Sequence, residues 1–122
     1  MNSLPIGVFD SGIGGLTVVN AIQKHLPNED LVYVGDTARV PYGSRSPGTV
    51  IDYATQIATY LEDTGVKEIL IACNTASAVA LEVVAAQTSL PVSGVIVPGA
   101  EAAVELNESG PIGVIACLLY TS

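Results

Sequence analysis

Pro5-Ile6-Gly7-Val8-Phe9 runs into Asp10-Ser11-Gly12-Ile13-Gly14-Gly15, and then into Leu16, Val19, Ile22 and Leu26 at helical spacing. The first five residues read as a short buried strand. The next six hold three glycines, too many for a strand or a helix, and read as a loop. Residues 16–26 read as a helix that Pro27-Asn28 stops. Strand, glycine loop and helix in that order form the first unit of an α/β fold.

The rest of the chain repeats the alternation. Residues 31–34 read as a second strand, followed by a polar, turn-rich loop over 35–44. Ser46-Pro47 opens a helix, with an N-cap hydroxyl and then proline at the first helical position. Val50, Ala54, Ile57, Ala58 and Leu61 give it one apolar stripe, and Gly65 suits its end. Residues 66–73 read as a third strand, and Asn74 as the cap of a helix to about residue 88. Residues 91–97 read as a fourth strand, Pro98-Gly99 as a helix start, and 111–116 as a fifth strand. Strands apolar on both faces predict a parallel sheet flanked by helices on both faces. In such sheets ligands bind beyond the C-terminal strand ends, which selects the loops at 10–15, 35–44, 73–75 and 97–99.

Composition narrows the function. The 122 residues fit one domain, and 49% apolar content with a mean hydropathy of +0.52 supplies a core. Four Lys and Arg against twelve Asp and Glu give a net charge of −8. That charge repels phosphate backbones and anionic lipid, so neither nucleic acid nor membrane is expected as a partner. No apolar run approaches the roughly 20 residues of a bilayer span. Residues 1–9 lack Lys and Arg, and Pro5 and Asp10 break their apolar stretch, unlike a signal peptide. Cys73 and Cys117 make no disulfide framework, and a cytoplasmic location is expected.

Cys73 is the most informative residue, because it lies where an apolar strand meets a helix. Free N–H groups and the positive end of the helix dipole then face its sulfur, an arrangement that favours thiolate. A small buried hydrophobe is the alternative. Ala76 stands where a redox pair needs its second cysteine, and Val79 where a phosphatase loop needs arginine. His25 and two distant cysteines have no zinc spacing, so no metal is expected. A thiol nucleophile or proton-transfer base remains. Asp10 before three glycines reads as a carboxylate presented to a ligand, or as a turn or capping aspartate. Thr17 breaks a dinucleotide fingerprint, and no phosphate-loop lysine follows. The loop at 35–44 is rich in hydroxyls and free N–H groups, with Arg39 nearby, and a solvated turn is its alternative reading.

These residues together resemble the glutamate racemase family. The matching segments are Phe9-Asp10-Ser11-Gly12-Ile13-Gly14-Gly15-Leu16-Thr17-Val18, Gly35-Asp36-Thr37-Ala38-Arg39-Val40-Pro41-Tyr42-Gly43-Ser44 and Ala72-Cys73-Asn74-Thr75-Ala76-Ser77-Ala78. Gly94-Val95-Ile96-Val97-Pro98-Gly99 is a weaker fourth. The resemblance implies cofactor-independent interconversion of L- and D-glutamate, by one base on each face of Cα, for peptidoglycan synthesis. It implies that Cys73 takes the proton from the D-enantiomer, assisted by Asp10. By the same match Asp10 and Ser11 meet the substrate ammonium. Asn74 and Thr75 hold one carboxylate, and backbone N–H groups of Tyr42 and Gly43 hold the other. It also implies that the full-length protein can form a homodimer.

The likeness stops at Ala116. The family continues into a second domain with a Cys-Thr-His segment, which Ala116-Cys117-Leu118-Leu119-Tyr120-Thr121-Ser122 does not match. Residues 1–116 are therefore expected to form an N-terminal racemase-type α/β domain, with 117–122 an atypical tail and the second catalytic domain absent. Cys117 is not expected to be the second base, and the chain alone is expected to be inactive. An aspartate-type racemase and a non-catalytic α/β binding or receiver-type module are the rival readings.

Overall fold

The computed structural model describes residues 3–115. The expected domain boundary at Ala116, Cys117 and the tail lie outside the described residues. Four strands, β1 (Ile6–Asp10), β2 (Leu31–Gly35), β3 (Glu68–Ile71) and β4 (Val92–Ser93), form one sheet. Its order is β2-β1-β3-β4 and every pairing is parallel. The register sets Asp10 beside Gly35 and Phe9 beside both Val34 and Ile71.

The helices are α1 (Leu16–His25), α2 (Pro47–Thr64), α3 (Asn74–Val79), α4 (Leu81–Gln87) and α5 (Ile96–Leu106). Parallel crossovers are right-handed, so the step from β1 to β2 and the opposite step from β2 to β3 put α1 and α2 on opposite faces. The core lies on the α2 face. There Phe9, Ile69 and Ile71 pack with Val50, Ala54, Leu61, Ala76 and Val84. On the other face Ile22 and Leu26 of α1 border a cleft with Ile6, Leu70 and Ser93, and α1 buries no residue completely.

The α2 signals act as the sequence predicts. The Ser46 hydroxyl accepts the Thr49 N–H at 3.3 Å, and all five stripe residues are buried. Gly65 takes φ +94°, and its N–H donates to the carbonyls of Leu61 and Glu62. A left-handed stop of this kind closes the last turn at little steric cost only for glycine.

Several expectations are corrected. The helix after Cys73 is two helices that meet at Ala80, whose φ is −113° and ψ −13°. The Ser77 hydroxyl ties α3 to the Ile71 carbonyl at 3.0 Å, while α4 buries Val84 in the core, and the bend serves both. The cap is Cys73, with Asn74 the first helical residue. The expected fourth strand over 91–97 shrinks to Val92–Ser93, because α5 already starts at Ile96. Pro98 is thus its third residue, where the missing N–H would have had no intrahelical partner. The expected fifth strand over 111–116 is not formed in its described part, 111–115. Residues 111–115 are exposed and irregular, because α5 buries no residue and does not return the chain beside β4.

Candidate active site

β1 lies between β2 and β3, so the chain leaves it on one side and re-enters on the other. A crevice opens at such a reversal, beyond the strand ends, and the loops after β1 and β3 border it. These loops carry Asp10-Ser11 and Cys73-Asn74-Thr75.

Asp10 ends β1 and is 5% exposed. Its Oδ2 accepts the Gly15 N–H at 2.5 Å, and its backbone carbonyl accepts the Asp36 N–H at 2.9 Å. A Cβ on Gly15 would lie 2.6 Å from the Cβ of Asp10, so only glycine allows this approach. The carboxylate therefore rests on the Gly15 N–H at the start of α1, which offsets its burial. The turn role that the sequence left open is observed, while the N-cap of α1 is Gly15 itself. That turn fixes where the carboxylate sits and leaves a chemical role possible.

Cys73 is 6% exposed. The Ala76 N–H donates to its Sγ at 3.4 Å, and the thiol donates to the Ser11 Oγ at 3.5 Å. β1 and β3 thus bring together a thiol and a hydroxyl 62 positions apart. No hydrogen bond joins Asp10 to Cys73; Ser11 stands as the direct neighbour of the sulfur. Asn74 is exposed and Thr75 half-buried in the first turn of α3.

The loop after β2 forms two short 3₁₀ turns, Thr37–Arg39 and Tyr42–Ser44, and the second packs against α3. The Tyr42 ring is buried, and its hydroxyl donates to Asp36 Oδ2 at 2.5 Å. Burial and this bond to a carboxylate push the phenol well above its ordinary range. The negative charge of an ionised Cys73 would act in the same direction. Arg39 donates to the same Asp36 oxygen and to Gln56 Oε1, both at 2.7 Å, and stacks 4.0 Å above the Tyr53 ring. Residues 35–44 are therefore a braced loop, with Gly43 half-buried beside Tyr42.

Two contributors escaped the sequence reading. Asp36 gathers Tyr42 and Arg39, while Tyr33 of β2 donates its hydroxyl to the Gly12 carbonyl at 3.0 Å. The fourth expected loop stands apart. Val97 and Pro98 line an apolar cleft of about 200 Å³ with Ser77, Leu81, Gly94 and Ile96, and that cleft contains neither Cys73 nor Asp10.

The family described as Asp/Glu/hydantoin racemase matches over residues 9–120. The chain belongs to that family. Glutamate racemase of Geobacter metallireducens is 56% identical over 110 residues, which are 90% of this chain and 41% of that protein. The solved glutamate racemase of Aquifex pyrophilus superposes with a TM-score of 0.84 at 51% identity, covering 86% of this chain and 42% of the other. Glutamate racemase of Francisella tularensis, solved with D-glutamate, gives 0.81 at 49% identity over 88% of this chain and 41% of the other. The chain thus spans about two-fifths of the length of these family members. Among the described residues no helix is long and apolar enough to cross a membrane.

Proposed function

We propose that this chain carries the Cys73 half of a cofactor-independent glutamate racemase. The observation that supports it most is Cys73 Sγ, held between the Ala76 N–H and the Ser11 hydroxyl at the sheet's reversal point. The relatives at about half identity named above are glutamate racemases, one solved with D-glutamate. In this reading Cys73 removes the Cα proton of D-glutamate, so a C–H bond breaks and an S–H bond forms. A second acid on the opposite face, outside this chain, then protonates Cα to give the L-enantiomer. Asp10 and Ser11 meet the ammonium group. Asn74 and Thr75 hold one carboxylate, and the N–H groups of Tyr42 and Gly43 hold the other. Anion binding by amides, hydroxyls and helix ends suits a chain with only four Lys and Arg. The reading includes a first domain at 1–116, a homodimeric full-length protein, a cytoplasmic location and D-glutamate supply for peptidoglycan.

A chimera tests it. Residues 5–115 replace the matching segment of the Geobacter metallireducens protein, and deuterium exchange at Cα is followed from pure L- and D-glutamate. Exchange and inversion are expected, both lost with Cys73→Ala. No exchange on glutamate or aspartate favours a binding module, and exchange on aspartate alone favours an aspartate-type racemase. The 122-residue chain by itself is expected to fall at least about 10²–10⁴-fold below the chimera, because one of two acid–base groups is missing.

A further inference from the structure

We propose that Tyr33 is a positioning residue that clamps the Gly12 carbonyl, and through it holds Ser11 against Cys73. Tyr33 lies in β2, in register with Val8 of β1, and its hydroxyl reaches across the strand end to Gly12. Gly35 packs directly against this hydrogen bond. A Cβ there would lie 2.4 Å from the Gly12 oxygen and 3.0 Å from the Tyr33 hydroxyl. Gly12 itself is close-packed, since a Cβ on it would stand 2.9 Å from Val40 Cγ1. The peptide between Gly12 and Ile13 is therefore held by a hydrogen bond from β2 and by the bare backbone of Gly35, and Gly12 itself by the next loop.

The consequence follows from the chain's own geometry. Ser11 has one anchored neighbour on each side: Asp10, bonded through Oδ2 to Gly15, and Gly12, bonded to Tyr33. With both ends fixed, the Ser11 hydroxyl stays 3.5 Å from the sulfur without any other hydrogen bond to hold it there. Burial and the nearby Asp10 charge both raise the Tyr33 pKa, so the phenol keeps its proton and remains a donor at neutral pH. The inference deepens the reading proposed above, on which its catalytic consequence rests, yet its test reads geometry and needs no turnover.

The gauge is a cross-link. In the full chain carrying Cys117→Ser, Ser11→Cys places two sulfurs at this contact. Their effective concentration is measured by equilibration with reduced and oxidised glutathione. Adding Tyr33→Phe removes only the hydroxyl and is expected to lower that effective concentration about tenfold, the upper end of one hydrogen bond's worth. The urea midpoint of the uncross-linked protein is expected to fall by no more than this one hydrogen bond's worth. Gly35→Ala, whose added Cβ crowds both the Gly12 carbonyl and the Tyr33 hydroxyl, is expected to act in the same direction. An unchanged effective concentration in Tyr33→Phe overturns the proposal whatever Gly35→Ala does. So does a Ser11→Cys protein whose effective concentration is no higher in buffer than in urea. A lowered urea midpoint with the cross-link unaffected assigns Tyr33 a purely structural role and also overturns it.

Discussion

Helices α2 and α5 both carry strong helical periodicity and ample apolar content, yet α2 buries five side chains and α5 buries none. The sheet makes the difference. Right-handed crossovers lay α2 across β1 and β3, and its stripe meets Phe9, Ile69 and Ile71. α5 follows a two-residue strand at the sheet's edge and leaves Val97, Val104 and Leu106 exposed. Residues 111–115 continue that exposure through Ile112, Val114 and Ile115. Contiguous apolar surface of this kind is unusual on a monomer. The chain is thus an anchored part, from β1 to β4, joined to an unanchored apolar part.

Mutations that delete apolar bulk should separate the two most sharply. Leu61→Ala removes a fully buried side chain beside Gly7 and is expected to cost about 2–5 kcal/mol. Leu106→Ala in the unanchored part is expected to stay within about 0.5 kcal/mol. Urea unfolding of both variants checks this, and equal losses would break the comparison.

Glycines sharpen it at a smaller scale, because their surroundings are opposite. Gly15→Ala forces a Cβ to 2.6 Å from that of Asp10 and is expected to cost about 1–3 kcal/mol. In the chimera it should also depress exchange at Cα, since the carboxylate must move. Gly99 has nothing within 4 Å of its added Cβ and lies inside α5. Gly99→Ala is therefore expected to raise helicity and stabilise α5 by about 0.5–1 kcal/mol. Circular dichroism of the two variants should move in opposite directions.

What could be read from the sequence follows the same division. The caps of α2, its stripe, the first three strands and the Cys73 junction are set by neighbours in sequence, and each was legible. The bend at Ala80 was not, because it depends on Ser77 reaching the carbonyl of Ile71 and the N–H of Val95. The apolar run over 111–116 looked like a strand, since strand propensity says nothing about whether a partner is delivered to it. In the site, Cys73 and Asp10 stood out through the strand–helix junction and the glycine loop, and Ser11 through the family resemblance. Tyr33 and Asp36 did not. A tyrosine in a strand is an ordinary choice, and its bond to Gly12 spans 21 positions.

The smallest expected effect is alkaline, and it too belongs to the anchored part. Both tyrosines with raised pKa, Tyr33 and Tyr42, lie there, and residues 96–115 contain no tyrosine. Above pH 10 the unfolded chain loses these protons while the folded chain keeps them. The folded state then binds more protons than the unfolded one, so stability must fall as pH rises. Below pH 10 this contribution is complete. By pH 10.5 the buried Tyr42 can account for at most about 0.8 kcal/mol of loss, and the more exposed Tyr33 adds in the same direction. Urea midpoints measured between pH 8 and 10.5 should stay level to about pH 9.5 and then decline. Tyr42→Phe should start from a lower midpoint, because Asp36 loses a donor, and should then decline less steeply. A variant that declines as steeply as the parent chain would show that the Tyr42–Asp36 bond does not brace the loop, and the anchored part would end short of residues 35–44.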